Sequence, residues 1–218
     1  MIEKAWGAGL LALALCGCNE AEPDSEADHA DADAGVRADA QSAADGGSDS
    51  FNVYVGEVED SDVRVAILSD DSHARLFFCG SASSVGDKTH WFNLARDSDT
   101  IESEEAQFRV EAQFTAAAVS GEYKVGDETR SFSASKALRG TLSGLYEGKG
   151  DCGRLGLILI QRTPDADIEA QGACVGPGHA PEQVNPILPI SLQNGSVRVE
   201  AKGQEDGIAL QPAGVAPL

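Results

Sequence analysis

The stretch FRVEAQFTAAAVSGEYKVGDETRSFSA, residues 108–134, decides the fold class. Phe108, Val110, Ala112 and Phe114 are apolar at every second position, with polar residues between most of them. Val119, Gly121, Tyr123 and Val125 continue the alternation, Gly126-Asp127 interrupts it, and Phe132 and Ala134 resume it. Strand side chains point alternately to opposite faces, so this pattern means one buried face and one wet face. Tyr123 to Ala134 therefore reads as a hairpin turning at Gly126-Asp127. A helix competes for Ser103 to Phe114, because Ser103 can cap the run SEEAQ. The apolar period of two, where a helix needs ~3.6, assigns that stretch to strand.

Working outward, the same texture begins at Phe51. Val53 and Val55, then Val63, Val65 and Ile67, recur at every second residue. His73 to Cys79 holds the unbroken run Leu76-Phe77-Phe78-Cys79, which suits a strand with little water on either face. Thr89 to Leu94 carries Trp91 and Phe92; Leu142 to Glu147 and Leu155 to Gln161 add two more strands. Turn signals recur at roughly eight to twelve residues, the spacing of an all-β antiparallel meander, closed as a small barrel or folded as a sandwich. Val184 to Ile190 is apolar but holds Pro186 and Pro189, which predicts an extended edge or a packing strap. Ser196 to Ala201 and Ile208 to Leu210 read as a final strand pair. The β domain is expected over 51–212, with 213–218 a frayed tail.

The amino end has a different character. Residues 1–17 hold a weakly charged start, Glu3 offsetting Lys4, and an apolar run from Ala5 to Leu15. That run has the length of a signal-peptide core and is too short to span ~30 Å of hydrocarbon. Leu15-Cys16-Gly17-Cys18 resembles the lipobox of bacterial lipoproteins, with Leu at −3, Gly at −1 and Cys18 as the lipidated residue. Cys16 at −2 departs from the pattern, and Cys16 itself follows Leu15, too large for a −1 residue. The alternative is plain secretion with cleavage after Ala14. Two or three acyl chains on Cys18 anchor stably where one does not, each buried methylene contributing ~0.8 kcal/mol. Asn19 stands where the enteric inner-membrane retention signal has Asp, so the expected address is the cell envelope, at the outer membrane. A linker follows over 18–50, rich in Asp and Ala. From Asn19 to Ser50 it holds ten acids against Arg37 alone, and Val36 is its one large aliphatic residue. Such a segment buries too little apolar surface to offset chain entropy, so a disordered tether reaching ~30 Å or more is expected. Asp31-Ala32-Asp33-Ala34-Gly35 is no calcium loop: with Gly35 at the loop's glycine position, Ala30, Ala32 and Ala34 fall where oxygen ligands belong.

The whole chain has 218 residues, 36 acids and 16 bases, for a formal charge of −20. Residues 1–18 contribute zero and 19–50 contribute −9, leaving −11 for the β domain. Polyphosphate would be repelled by such a surface, so nucleic acid is excluded as a partner. The membrane is reached through the lipid on Cys18 rather than through charge.

Three cysteines remain after Cys16 and Cys18. An exported chain favours one disulfide and one leftover thiol. Cys152–Cys174 is the first choice and Cys79–Cys174 the second. A zinc site from Cys152, Cys174 and His179 lacks paired ligand spacing, so no metal and no cofactor is expected. His73 and His90 lie in or beside strands, and either could act as a catalytic base. Gly148-Lys149-Gly150-Asp151-Cys152-Gly153 matches G-x-G-x-x-G but precedes a strand, where the dinucleotide motif opens a helix. It reads as a turn. No catalytic elbow, H-E-x-x-H pair or P-loop is present.

Tyr54-Val55-Gly56, the strand ending in Cys79-Gly80, Trp91-Phe92 and Gly144-Leu145-Tyr146 are similar to a family of uncharacterised, β-rich secreted proteins and lipoproteins of myxobacteria and actinobacteria. The resemblance covers Val53 to Gln161. It implies a small β domain on the cell exterior and transfers no functional residue. The first functional expectation is thus a cell-surface or outer-membrane lipoprotein whose non-catalytic β domain serves binding or envelope structure. A second is a lipocalin-like carrier with an apolar ligand among Phe77, Trp91, Phe108 and Phe114. A third is a secreted hydrolase built on His73 or His90.

Overall fold

A computed structural model of the protein describes residues 51–202 and 204–214, the side chains of 204–206 excepted. The readings placed on 1–17, on Cys18, on the 18–50 linker and on 215–218 lie outside these residues. The described residues belong to one compact unit, Asp45–Leu218. They are all-β and antiparallel, as the alternation predicts.

In chain order the first elements are β1 (Asn52–Val58), β2 (Arg64–Ser69), β3 (His73–Cys79), the single-turn α1 (Val85–Lys88) and β4 (His90–Ala95). Next come β5 (Thr100–Glu105), β6 (Phe108–Phe114), β7 (Ala118–Val125) and β8 (Glu128–Lys136). These eight strands form one sheet in the order β4-β3-β2-β1-β8-β7-β6-β5. The second body comprises β9 (Gly144–Gly150), β10 (Gly153–Ile160), β11 (Glu169–Val175), β12 (Glu182–Pro186), β13 (Val197–Ala201) and β14 (Gln204–Pro212). It is a closed barrel in the order β10-β11-β12-β13-β14-β9.

The decisive stretch behaves as its pattern requires. Across β6 and β7, Phe108 faces Val125, Val110 faces Tyr123, Ala112 faces Gly121 and Phe114 faces Val119. A slip of one residue would turn all of them to water, so the pattern fixes the register. Val125 pairs with Glu128 across the Gly126-Asp127 turn, as expected. The reading of Ser103 to Phe114 as strand holds in type but spans two strands. Glu105 pairs with Phe108, and the chain reverses at Ala106, whose φ is +56°.

The eight-stranded sheet rolls around its own apolar face. Tyr54, Ile67, Leu76, Phe78, Phe92, Val110, Phe114, Val119, Tyr123 and Phe132 fill the inside. Two close approaches permit the curl. A Cβ on Gly56 would lie 1.9 Å from the Ser133 carbonyl oxygen, and one on Gly121 would lie 1.9 Å from that of Glu111. Only glycine tolerates backbone at that distance. The free edges, β4 and β5, face each other across a seam that side chains bridge. His90 Nε2 lies 3.2 Å from Glu105 Oε2, and the His90 ring stacks on Phe108 at 4.3 Å.

The run LGLILIQ is apolar throughout because β10 is covered on both sides. Leu155, Leu157 and Leu159 point into the barrel. Ile158 and Ile160 point out of it, against Val55, Ala66, Leu68, Phe77 and Trp91 of the rolled sheet. Each fully buried aliphatic side chain of this kind contributes ~1.5–3 kcal/mol. The glycine motif at 148–153 is the β9–β10 turn, with Gly150 opposite Gly153.

Two expectations for the tail are corrected. The proline-bearing segment is no edge over its first residues: β12 pairs with β11 through Gln183 and Val184, then with β13 through Asn185 and Pro186, while 187–190 leave the sheet and Ile190 packs on the barrel core as a strap would. The prolines are accommodated because Pro186 is the last residue of the strand and Pro189 lies beyond it. The tail is not frayed from residue 213. Ala213 is buried and donates its N–H to the Leu145 carbonyl. No expectation covered α1, whose entry is held by Asp62 through Ser81 and Ser84.

Candidate functional site

The four aromatic residues expected to line a common pocket are divided between two packed clusters. Phe77 and Trp91 stack at 4.2 Å between the rolled sheet and the barrel. Phe114 lies inside the rolled sheet, edge-on to Tyr54, and Phe108 packs against that core through its stack with His90. Both interiors are occupied by side chains.

The histidines sit in different surroundings. His73 is 62 % exposed, and its Nδ1 lies 2.8 Å from Ser72 Oγ and 3.7 Å from Asp70 Oδ1. A catalytic relay needs a histidine that takes the hydroxyl on one ring nitrogen and the acid on the other. Here both converge on Nδ1, and Asp70 is engaged by the backbone N–H groups of Ser72 and His73. The geometry is that of a turn. His90 is half-buried; burial pushes its imidazole below the ordinary value, while the hydrogen bond and charge of Glu105 oppose part of that shift.

The disulfide joins Cys152 to Cys174, so neither thiol is left for zinc. No group of three or more His, Cys, Asp or Glu suited to a metal occurs among the described residues. Cys79 is the remaining thiol of the domain, fully buried, and burial pushes it up to about 12. Asp62 accepts hydrogen bonds from Ser81 and Ser84 (2.6 Å for Ser84) and faces Lys88 at 3.4 Å. Burial raises its pKa, but these partners outweigh burial and hold the carboxyl well below the usual range.

A buried charge network went unread in the sequence. Arg75 is 1 % exposed and grips Glu147 with two hydrogen bonds, at 3.0 and 2.6 Å. Arg154 adds a bond to Glu147 Oε2 at 2.7 Å and lies over the Trp91 ring, its Cζ 3.6 Å from the centroid. Arg75 also donates to the carbonyl of Gly214. The network ties β3 of the rolled sheet to β9 and β10 of the barrel and to the chain's last described residue. Arg75 and Glu147 are 72 residues apart, so no local motif could reveal the pair.

A groove of about 310 Å³ lies where the outer face of the rolled sheet meets the barrel end. Its floor comes from β1 and β8, where Val55 stands opposite Ser135 and Glu57 opposite Ser133. Lys136, Ala137 and Leu138 form one end; Ser143, Ile160, Gln161 and Arg162 form the wall. The wall is rigidly built. Ser143 Oγ donates to the Gln161 carbonyl at 2.9 Å and accepts its N–H at 2.8 Å. The Gln161 side chain is fully committed, accepting from Leu142 N and donating to the Pro164 and Ala166 carbonyls. Ser133 and Ser135, opposite in parity to the core residues Phe132 and Ala134, face the groove with hydroxyls that bond no described residue. Glu57, by contrast, is taken by Arg64 at 3.3 Å.

The volume falls at the lower end of the ~300–1,000 Å³ typical of small-ligand sites. No helix among the described residues is long and apolar enough to cross a membrane. No protein-family model, curated protein or solved structure matches the chain.

Proposed function

We propose that the chain is a lipid-anchored envelope lipoprotein whose β unit is a non-catalytic binding module, with the groove between rolled sheet and barrel as its ligand seat. The observation that carries the anchor is Leu15-Cys16-Gly17-Cys18, an apolar run ending in a lipobox and followed at once by a strongly acidic spacer. Diacylglycerol on the Cys18 thiol holds the chain to lipid, and the spacer's self-repulsion keeps the domain clear of it. The outer membrane is the proposed address, since Asn19 replaces the retention residue. Kinship with the β-rich exported proteins of myxobacteria and actinobacteria is part of the same reading.

Filled interiors favour this reading over a lipocalin-like carrier, which needs space among Phe77, Trp91, Phe108 and Phe114. The turn geometry at His73 and the aromatic stack at His90 favour it over a hydrolase. Palmitate labelling tests the anchor. Cys18→Ala should lose the label and move the protein from the membrane to the soluble fraction, while Cys16→Ala keeps both. Retained label in Cys18→Ala overturns the proposal.

A further inference from the structure

We propose that the seam of the rolled sheet is a strand-addition site, where the free edge of β4 pairs antiparallel with an extended peptide whose residues alternate between apolar and basic. The site is separate from the groove and independent of any ligand there.

The hydrogen-bond register shows which backbone groups are free. Bonded and non-bonded pairs alternate along an antiparallel ladder. Arg96 donates its N–H to the Ser72 carbonyl in register with the β3–β4 ladder, so His90, Phe92 and Leu94 bond to β3. The N–H and C=O groups of Trp91, Asn93 and Ala95 therefore point into the seam. On the other side Phe114 donates to the Asp99 carbonyl, so Ile101, Ser103 and Glu105 bond to β6, while Thr100, Glu102 and Glu104 turn toward β4. Ser98 Oγ serves both groups of Thr100, at 2.7 and 3.3 Å. No ladder joins β4 to β5, so the other seam-facing groups await a strand that the described residues do not supply.

Natural edges are guarded by charge, proline or a bulge. β5 follows that rule with Glu102, Glu104 and Glu105. β4 does not: it reads HWFNLA, without Asp, Glu, Lys, Arg or Pro, its ladder has no register shift, and Asn93 and Ala95 are exposed. The two sides of the seam set the chemistry of what fits. Facing the interior, an added strand lies beside Phe92 and Leu94 of β4 and Ile101 of β5, all in or against the core, so its inward side chains must be apolar. Facing out, it meets Asn93 and an acidic rim. Residues 97–105 hold five acids and no lysine or arginine. Arg96 takes Asp99, Arg109 takes Glu102 and His90 takes Glu105, whereas Asp97 and Glu104 have no cationic partner among the described residues. Lysine or arginine at the outward positions of the peptide answers them. A second copy of the chain, at −20, brings more acid to the same rim.

The probe is a hexapeptide of alternating lysine and valine, capped at both ends and titrated into the full chain, with the glutamate–valine hexapeptide as control. Amide exchange is followed by NMR. In the free protein the Trp91, Asn93 and Ala95 amides should exchange faster than those of Phe92 and Leu94, and saturating lysine–valine peptide should slow the first three about tenfold. Asn93→Pro removes a seam-facing N–H that the β3 ladder does not use, so Phe92 and Leu94 should stay protected while peptide affinity falls about tenfold. Glu104→Lys should weaken the lysine–valine peptide severalfold; it alters no packed side chain, so it decides the matter if Asn93→Pro fails to fold. No saturable binding, equal affinity for the two peptides, or slow exchange of the three seam amides in the free protein overturns the proposal. Binding that both Asn93→Pro and Glu104→Lys leave unaltered does the same. Dimerisation that slows those amides without peptide gives the edge to a second copy, and overturns it too.

Discussion

At the scale of single residues, the arginine–glutamate network is the most exacting feature of the molecule. Arg75 and Glu147 are withdrawn from water and Arg154 largely so, and their mutual bonds, with the Gly214 carbonyl and the Trp91 ring, offset the desolvation. Removing one partner strands the others. Glu147→Gln is expected to destabilise the protein by ~3–5 kcal/mol in urea unfolding, and Arg75→Met combined with Glu147→Leu to lose far less. A double variant as unstable as Glu147→Gln would argue that the charges themselves stabilise the junction. Cys79 is exacting in a different way: at about 12 its thiol is essentially never a thiolate at neutral pH. Iodoacetamide at pH 8 should leave the Cys79 peptide unmodified in the native protein and alkylate it in denaturant, as read by mass spectrometry.

At the scale of elements, rolling the first sheet depends on Gly56 and Gly121. Gly56→Ala and Gly121→Ala each push a methyl into a carbonyl that cannot move without breaking the ladder. Each should cost roughly 1–3 kcal/mol or more in thermal or urea unfolding. The seam between β4 and β5 should respond to acid. Because burial lowers the His90 pKa in the folded state, the unfolded chain takes up that proton first. The stability His90 contributes is therefore complete above its unfolded value of 6.5 and is lost as pH falls through the lower folded value. A plot of urea midpoint against pH should show this decline below 6.5, and His90→Gln should flatten it. These elements also mark how far the sequence could be read. Alternation from Phe108 to Ala134 specified strands, register and hairpin, because each signal is local and has period two. The apolar run of β10 announced a strand, though not its cover on both sides, and the glycine motif announced its turn. The β12 segment was misjudged because proline penalises an interior strand, yet here it falls at the strand end. The groove was invisible for a physical reason: its lining comes from four separate stretches brought together by docking of two bodies.

At the scale of the whole molecule, two closed or nearly closed β bodies share one apolar seam, and several unrelated ties cross or flank it. The Cys152–Cys174 disulfide closes a loop within the barrel across 22 residues. Its loss through Cys152→Ala with Cys174→Ala should lower stability by ~3 kcal/mol on the chain-entropy account, measured as a shift in urea midpoint. Barrel closure itself rests on β14, which lies between β13 and β9. The order in which these bodies are made follows from that. A ribosome delivers the rolled sheet complete by Lys136, whereas the strand that seals the barrel, and the Gly214 carbonyl that Arg75 clasps, follow up to 78 residues later. At ~5–20 residues per second, the interval between them is roughly 4 to 15 s. Throughout that interval Val55, Leu68, Phe77 and Trp91 have no barrel to cover them. Wherever the chain folds, a rolled sheet that forms ahead of the barrel carries a sticky, half-finished surface until β14 arrives.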